Sequence, residues 1–106
     1  MKKPSLQRLI RLQRNNEWIK EYANELANQL MIDFDVNEAY RVAGFLKVSQ
    51  GLDNYTAIRV WTEKWLKQNY PVSDDDSLLE DLKNDDTLYP KLKAKFFSHF
   101  PGSAVA

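Results

Sequence analysis

Apolar residues recur at helical spacing along most of this chain, and no stretch of comparable length alternates as a strand would. Four stretches combine this periodicity with recognisable helix start and stop signals. The pattern predicts an all-α protein with one compact domain of about five helices over residues 1–100, arranged as a helical bundle or an orthogonal helical array. Residues 101–106 are predicted to form a flexible tail.

The first two apolar stripes face different directions. Pro4 is tolerated in a first helical turn, so a helix can begin there. Its apolar residues lie on one arc and comprise Leu6, Leu9, Ile10 and Leu12. The next stripe runs from Trp18 to Met31 and is rotated by roughly 130° about a common axis. Asn15 and Asn16 are weak helix formers and good caps, so a break there is the favoured prediction. One rod with different neighbours along its length is the alternative.

A third helix is predicted from Val36 to about Val48. Asp35 and Glu38 have the spacing of a capping box at its start, and Gly51 follows its end, where a left-handed residue is favourable. Gly44 lies inside this helix at a cost of about 1 kcal/mol relative to alanine. Close contact with another helix at Gly44 is the expected compensation.

A fourth helix is predicted from Asp53 or Asn54, either of which can cap it, to about Asn69, because Pro71 disfavours helical geometry at Tyr70. Its apolar face contains Tyr55, Ile58, Trp61, Trp65 and Leu66. The two tryptophans, four residues apart, are expected to anchor the core. Glu63 and Lys67 are spaced to form an ion pair on the other side.

The C-terminal third is predicted to hold a short helix and a final longer one. Asp74, Asp75 and Asp76 precede the leucines of the short helix and are expected to interact favourably with its N-terminal dipole. Residues 84–86 predict a turn. Every fourth residue of the final segment is then apolar, namely Leu88, Leu92, Phe96 and Phe100. This favours a helix, although the alternation over residues 91–96 also fits a short strand.

Composition narrows the class of protein further. The chain has 106 residues, of which 43% are hydrophobic, and this is enough to bury a core. It has no cysteine, which excludes disulfides and thiolate metal sites and favours a cytoplasmic setting. No apolar run is long enough to span a membrane, and arginines interrupt any signal-peptide pattern near the N-terminus.

The charges cancel in total but not along the chain. Residues 1–20 carry six basic residues against Glu17, and residues 73–86 carry seven acidic residues against Lys83. Such a distribution concerns partner choice more than fold. The two segments can bind each other or separate outside partners, and the sequence does not decide between these arrangements.

Two nucleic-acid hypotheses follow from this distribution. The basic residues that can contact phosphates are Lys2, Lys3, Arg8, Arg11 and Arg14. A net charge of zero counts against this function. The second hypothesis is an acidic inhibitor that imitates nucleic acid with residues 74–86, but their interspersed leucines are more typical of an amphipathic helix.

Two further segments resemble nucleic-acid binders only weakly. Residues 39–59 have the outline of a helix-turn-helix, but the second helix offers few side chains suited to base edges. Lysines and phenylalanines are interspersed near the C-terminus, at Lys91, Lys93, Lys95, Phe96, Phe97 and Phe100. Single-strand or acidic-membrane binders have this composition, and so does an amphipathic helix whose phenylalanines face a core.

Nothing in the sequence indicates catalysis. His99 is the only histidine and has no orienting carboxylate or second metal ligand close in sequence. Phosphate-binding glycine loops and nucleophile motifs are missing, and adjacent aspartates at 74–76 are poor substitutes for a calcium loop. We therefore expect no enzyme activity, no cofactor and no metal.

The leading hypothesis is a small non-catalytic module for protein–protein interaction, acting as an adaptor or regulator. Its predicted binding residues are Leu6, Leu9, Ile10 and Leu12, because their stripe is out of register with the following helix and needs a partner. That partner is another protein or a second copy of the chain, unless the stripe is covered within the fold.

Overall fold

A computed structural model describes residues 5–33, 41–44, 46, 51 and 53–99, and of Asn54, Phe97 and His99 it describes the backbone only. These residues form five helical segments and no strand, so the all-α prediction is confirmed. The segments are α1 (Leu6–Asp33), α2 (residues 41–44 and 46), α3 (Asn54–Asn69), α4 (Leu78–Asn84) and α5 (Leu88–His99). The predicted tail, Lys2, Lys3 and the capping box at Asp35 and Glu38 lie outside the described residues.

Helix α1 is continuous, and the predicted break at Asn15 and Asn16 is wrong. The helix has 28 residues without interruption. The Asn15 side chain is fully buried and donates two hydrogen bonds to the segment before α4. Because these tertiary partners occupy the amide, it does not compete with the helix backbone as an asparagine in solvent does. The alternative of one rod with different neighbours is correct.

Local signals set the ends of α3 as predicted. Asp53 is the N-cap, and its Oδ1 accepts a hydrogen bond from the Thr56 backbone N–H at 2.8 Å. The helix ends at Asn69, and Tyr70 leaves helical geometry before Pro71. On the exposed side Lys67 Nζ lies 3.0 Å from Glu63 Oε2, which confirms that ion pair.

Helix α4 differs from its prediction in which acids occupy its first turn. It begins at Leu78 after Ser77, and the acidic residues of the first turn are Glu80 and Asp81. Asp74, Asp75 and Asp76 lie just before the helix, and their favourable interaction with its N-terminal dipole stays a prediction. The arginines of α1 also hold two of these aspartates, as described below.

Helix α5 resolves the choice between helix and strand for residues 88–99. Leu88, Leu92 and Phe96 are all buried, so the four-residue apolar spacing outweighs the alternation of lysines. Gly51 has a φ of 70°, as predicted for a left-handed residue. The contact expected at Gly44 is missing, since a Cβ placed there meets no described atom within 4 Å.

One apolar core joins the helices. Helix α1 contributes its C-terminal two thirds, packed mainly against α3 and also against α4. Trp65 is buried, whereas Trp61 is half-buried and meets the Phe96 ring edge-on, with centroids 5.1 Å apart. Both tryptophans therefore contact the core as predicted. Within the described ranges, no helix has the length and apolar character needed to cross a membrane.

Candidate functional site

The first two and a half turns of α1, residues 6–14, form an arm that carries the candidate binding surfaces. Leu6, Leu9 and Ile10 expose 72%, 48% and 56% of their surface. Only one other large hydrophobic residue in the described part of the chain is as exposed, and this is Ile32, at the other end of α1. We call Leu6, Leu9 and Ile10 the exposed stripe.

Leu12, the fourth residue predicted for this surface, has a different environment. It is half-buried. At 100° per residue it lies about 110° around the axis from the centre of the exposed stripe, toward the side on which Asn15 and Ile19 are buried. The compact part of the predicted surface is therefore the exposed stripe, without Leu12.

On another side of the arm, three arginines bind the segment before α4. We call Arg8, Arg11 and Arg14 the arginine face, and residues 73–76 the aspartate loop. Asp74 Oδ2 lies 3.4 Å from Arg8 Nε and 3.6 Å from Arg11 Nη2. Asp76 Oδ1 lies 3.7 Å from Arg11 Nε and 3.3 Å from Arg14 Nη2. The basic and acidic segments of the sequence thus meet within one molecule.

Neutral contacts fix the backbone of the aspartate loop. Asn15 Nδ2 donates to the carbonyl oxygens of Ser73 at 2.7 Å and Asp75 at 2.8 Å. Beside it, the Arg14 guanidinium lies 4.3 Å above the ring of Trp18, which is a cation–π geometry. The Nε of Arg14 is buried and has no hydrogen-bond acceptor among the described residues.

An open groove of about 370 Å³ lies next to this cation–π pair, between α1 and α4. Its lining residues are Trp18, Asp76, Leu79, Glu80, Lys83 and Asn84. Trp18 and Leu79 give it an apolar floor, and charged and amide groups surround them. Lys83 Nζ also lies 3.8 Å from Glu25 Oε1 on α1, so this ion pair links the two helices.

A second polar cluster joins the C-terminal end of α1 to the start of α5. Asp33 Oδ2 accepts a hydrogen bond from the Tyr89 hydroxyl at 2.6 Å, and Oδ1 accepts from Gln29 Nε2 at 2.8 Å. The Tyr89 hydrogen bond, above all, lowers the pKa of the Asp33 carboxyl. Burial, together with the same carboxylate, raises the pKa of the Tyr89 phenol. Lys93 Nζ lies 4.0 Å from Asp33 Oδ2.

Several basic residues of α3 and α5 form ion pairs within the protein. Arg59 and Lys67 both pair with Glu63, so Glu63 partly balances the positive charge that the second helix of a helix-turn-helix would present. Lys93 pairs with Asp33, and Phe96 is buried in the core. The amphipathic-helix interpretation of the C-terminal lysines and phenylalanines therefore fits the described residues better than a single-strand binding surface.

The remaining acids are directed to solvent. Asp75, Glu80, Asp81 and Asp86 are exposed, while Asp74 and Asp76 meet the arginine face and Asp85 accepts a hydrogen bond from the Tyr70 hydroxyl at 3.2 Å. The acids of residues 74–86 therefore divide into a set that contacts other side chains of the protein and a set that contacts solvent alone or the local backbone. Among the described residues, no three His, Asp or Glu side chains are grouped to hold a metal ion. The side chain of His99 lies outside the description.

Comparison of the chain with protein-family models, with curated proteins and with solved structures finds no match. Functional inference therefore depends on the geometry of the arm and its surroundings.

Two residues of this region were missed by sequence reasoning. Asn15 was interpreted as a helix breaker, and Trp18 as one member of an apolar stripe. The signal for Asn15 was its position, four residues before the buried Ile19 and on the same side of α1, where an apolar residue is expected. A polar residue at such a position needs a buried hydrogen-bond partner.

Proposed function

We propose that this protein is a non-catalytic protein–protein interaction module that inserts the exposed stripe of its arm into an apolar groove on another protein. The observation that supports it is the clustering of Leu6, Leu9 and Ile10, each about half or more exposed, within little more than one helical turn. Spacings of i, i+3 and i+4 are those with which an amphipathic helix occupies a groove.

The size of the patch makes it a binding candidate. The three side chains expose on the order of 300 Å² of apolar surface, within the range of the largest patch on a typical monomer, which is often functional. Burying such surface is worth roughly 25 cal/mol per Å² before the costs of association are subtracted. The patch can therefore supply a binding hot spot but not a whole interface.

The same area favours a different protein over a second copy as the partner. Two exposed stripes packed against each other would bury roughly 600 Å², whereas stable interfaces bury about 1,200 Å² or more. A groove that encloses the arm adds contact with the residues beside the stripe. Self-association through the stripe alone is thus expected to be weak.

Sedimentation equilibrium of the purified protein tests the choice of partner. We expect a monomer at high protein concentration, for the wild type and for Leu9→Asp alike. A stable dimer that Leu9→Asp dissociates would contradict the proposal of a different partner and would establish self-association through the stripe.

A comparison of baits tests the interaction itself. Wild-type protein, Leu9→Asp and Ile32→Asp are immobilised in extract from the organism that makes the protein, and retained proteins are quantified. Ile32 is the matched control, because it is 73% exposed on the same helix but far from the stripe. A retained protein is then purified and titrated, and Leu9→Asp should weaken its binding about 30-fold, the effect of a hot-spot residue. Equal losses from both substitutions, or from neither, would refute the proposal.

The proposal includes a cytoplasmic setting and an adaptor or regulatory role without catalysis. The lack of cysteine supports the first, and the absence of recognisable catalytic motifs supports the second. The hypothesis of an acidic inhibitor stays a prediction. It has less support than the stripe, because three of its acids, Asp74, Asp76 and Asp85, are engaged by other side chains of the protein.

A further inference from the structure

The aspartate loop contacts the arginine face in the way that an anionic ligand would. Arg8, Arg11 and Arg14 are spaced three residues apart, so they rise by about 4.5 Å per step along α1. Two carboxylates serve three guanidinium groups. The shortest nitrogen–oxygen distance between a guanidinium and a carboxylate is 3.3 Å, longer than the roughly 2.7–2.9 Å of a good charge-assisted hydrogen bond. Arg11 Nε also donates to the backbone carbonyl oxygen of Asp74 at 3.1 Å. The two carboxylates therefore satisfy the arginines only partly.

These ion pairs can be exchanged without unfolding the loop. The arginine side chains are 33–53% exposed and that of Asp76 is 76% exposed, so each pair lies in a well-solvated region. Exposed pairs of this kind contribute little individually. The loop backbone is held by the two hydrogen bonds from Asn15 and by the one that Arg11 Nε donates to the Asp74 carbonyl oxygen, none of which uses a carboxylate. The carboxylates of Asp74 and Asp76 can thus rotate away while the loop stays in place.

Trp18 indicates which kind of anion fits. It extends the arginine face into the groove between α1 and α4, directly beside Arg14. Aromatic rings next to a row of cations are the arrangement with which proteins bind single-stranded nucleic acid, since bases stack on the ring and phosphates pair with the cations.

We propose that the arginine face is a binding surface for the phosphate backbone of single-stranded nucleic acid, that Trp18 stacks on one of its bases, and that Asp74 and Asp76 occupy this surface in the free protein. The aspartate loop then acts as an internal competitor. This explains how a chain with no net charge can carry such a surface. The proposal is independent of the exposed stripe, which lies on another side of the arm.

Paired variants of equal charge test the competition. Asp74→Asn with Asp76→Asn frees the arginine face, whereas Asp81→Asn with Asp86→Asn removes the same charge from exposed positions that have no ion pair in the described part of the chain. Fluorescence anisotropy measures binding of a labelled oligothymidylate at low salt. We expect the first pair to bind at least tenfold more tightly than the wild type, and the second pair to change binding less than threefold.

Salt and stacking supply independent readouts. For three phosphates, log affinity of the freed variant should fall with log salt with a slope of about −2. Adding Trp18→Leu to that variant should weaken oligothymidylate binding at least fivefold, and replacing the three arginines by alanine should abolish it. Inorganic polyphosphate is the competing probe, and it should be insensitive to Trp18→Leu.

Three results would overturn the proposal. The first is an equal gain in oligothymidylate affinity from both charge-matched pairs. The second is no oligothymidylate binding at low salt by the variant with Asp74→Asn and Asp76→Asn. The third is that this variant binds polyphosphate as tightly as the oligonucleotide and that Trp18→Leu changes neither affinity. If the double variant fails to fold, as circular dichroism would reveal, Asp76→Asn alone keeps the test decisive. This variant keeps the ion pairs that Asp74 forms with Arg8 and Arg11. It should bind oligothymidylate at least threefold more tightly than the wild type. The absence of this gain would equally refute the proposal.

Discussion

Replacing Asn15 should loosen the attachment of the aspartate loop to α1. The side chain is fully buried, and its amide nitrogen donates to the carbonyl oxygens of Ser73 and Asp75. Asn15→Ala removes both hydrogen bonds and favours the helix, because alanine has the highest helix propensity. We therefore expect a loss of stability without a loss of helix content in α1.

The size of the effect follows from these contacts. Each hydrogen bond contributes about 1 kcal/mol to the free energy of unfolding, and the part-buried carbonyls that lose their donor add to the cost. The better helix propensity of alanine offsets up to about 0.7 kcal/mol. A net loss of about 2 kcal/mol remains, which corresponds to a fall in Tm of about 10 °C for a chain of this size.

Urea denaturation followed by far-UV circular dichroism measures this loss. Asn28→Ala is the matched control, since Asn28 is exposed on the same helix, and it should leave stability unchanged or raise it by a few tenths of a kcal/mol. Hydrogen exchange should accelerate at residues 73–76 in Asn15→Ala alone. Equal denaturation midpoints for the two variants would refute the assignment of Asn15 as the anchor of the loop.

Three further substitutions probe the core and the second polar cluster. Thr62→Val should stabilise the protein by about 1 kcal/mol in thermal unfolding, because the buried Thr62 hydroxyl has no hydrogen-bond partner among the described residues, whereas Thr62→Ser should destabilise it. The lowered pKa of Asp33 stabilises the folded state above the ordinary carboxyl pKa of about 3.9, so the Tm gap between wild type and Asp33→Asn should shrink as pH falls below about 4; a constant gap would contradict this. Phe96→Ala should cost about 3–5 kcal/mol in urea denaturation, against less than about 0.5 kcal/mol for the exposed Lys95→Ala.

The features that sequence predicted well are those set by residues close in the chain. The ends of α3 depend on Asp53 and Pro71, and their effects on the backbone act within a few residues. Helix α5 follows from the four-residue spacing of Leu88, Leu92 and Phe96. Such signals are complete in the sequence, so the all-α class and the bounds of these helices could be predicted.

The features that sequence missed depend on partners distant in the chain. Asn15 has the same local preferences whether it ends a helix or anchors a loop nearly 60 residues away, and only the fold distinguishes these roles. Likewise, the aspartates had a sufficient local explanation at a helix start, but the arginine face engages two of them. The uneven distribution of charge allowed the basic and acidic segments to bind each other or outside partners, and the sequence did not decide between the two. The exposed stripe was predictable, because its periodicity conflicts with that of the following segment.

The attachment of the arm to the aspartate loop joins two charged segments that lie 62 to 63 residues apart in the chain at their hydrogen-bonded contacts. During synthesis the arginines emerge from the ribosome before Asp74 and Asp76 are translated, so the arm is without its acidic neighbours until these residues have emerged too. Bringing together residues this far apart costs chain entropy, so it is slower than helix formation. In a nascent chain, Arg8, Arg11 and Arg14 are consequently open to trypsin-like proteases and to acidic surfaces such as ribosomal RNA until residues 73–76 have emerged.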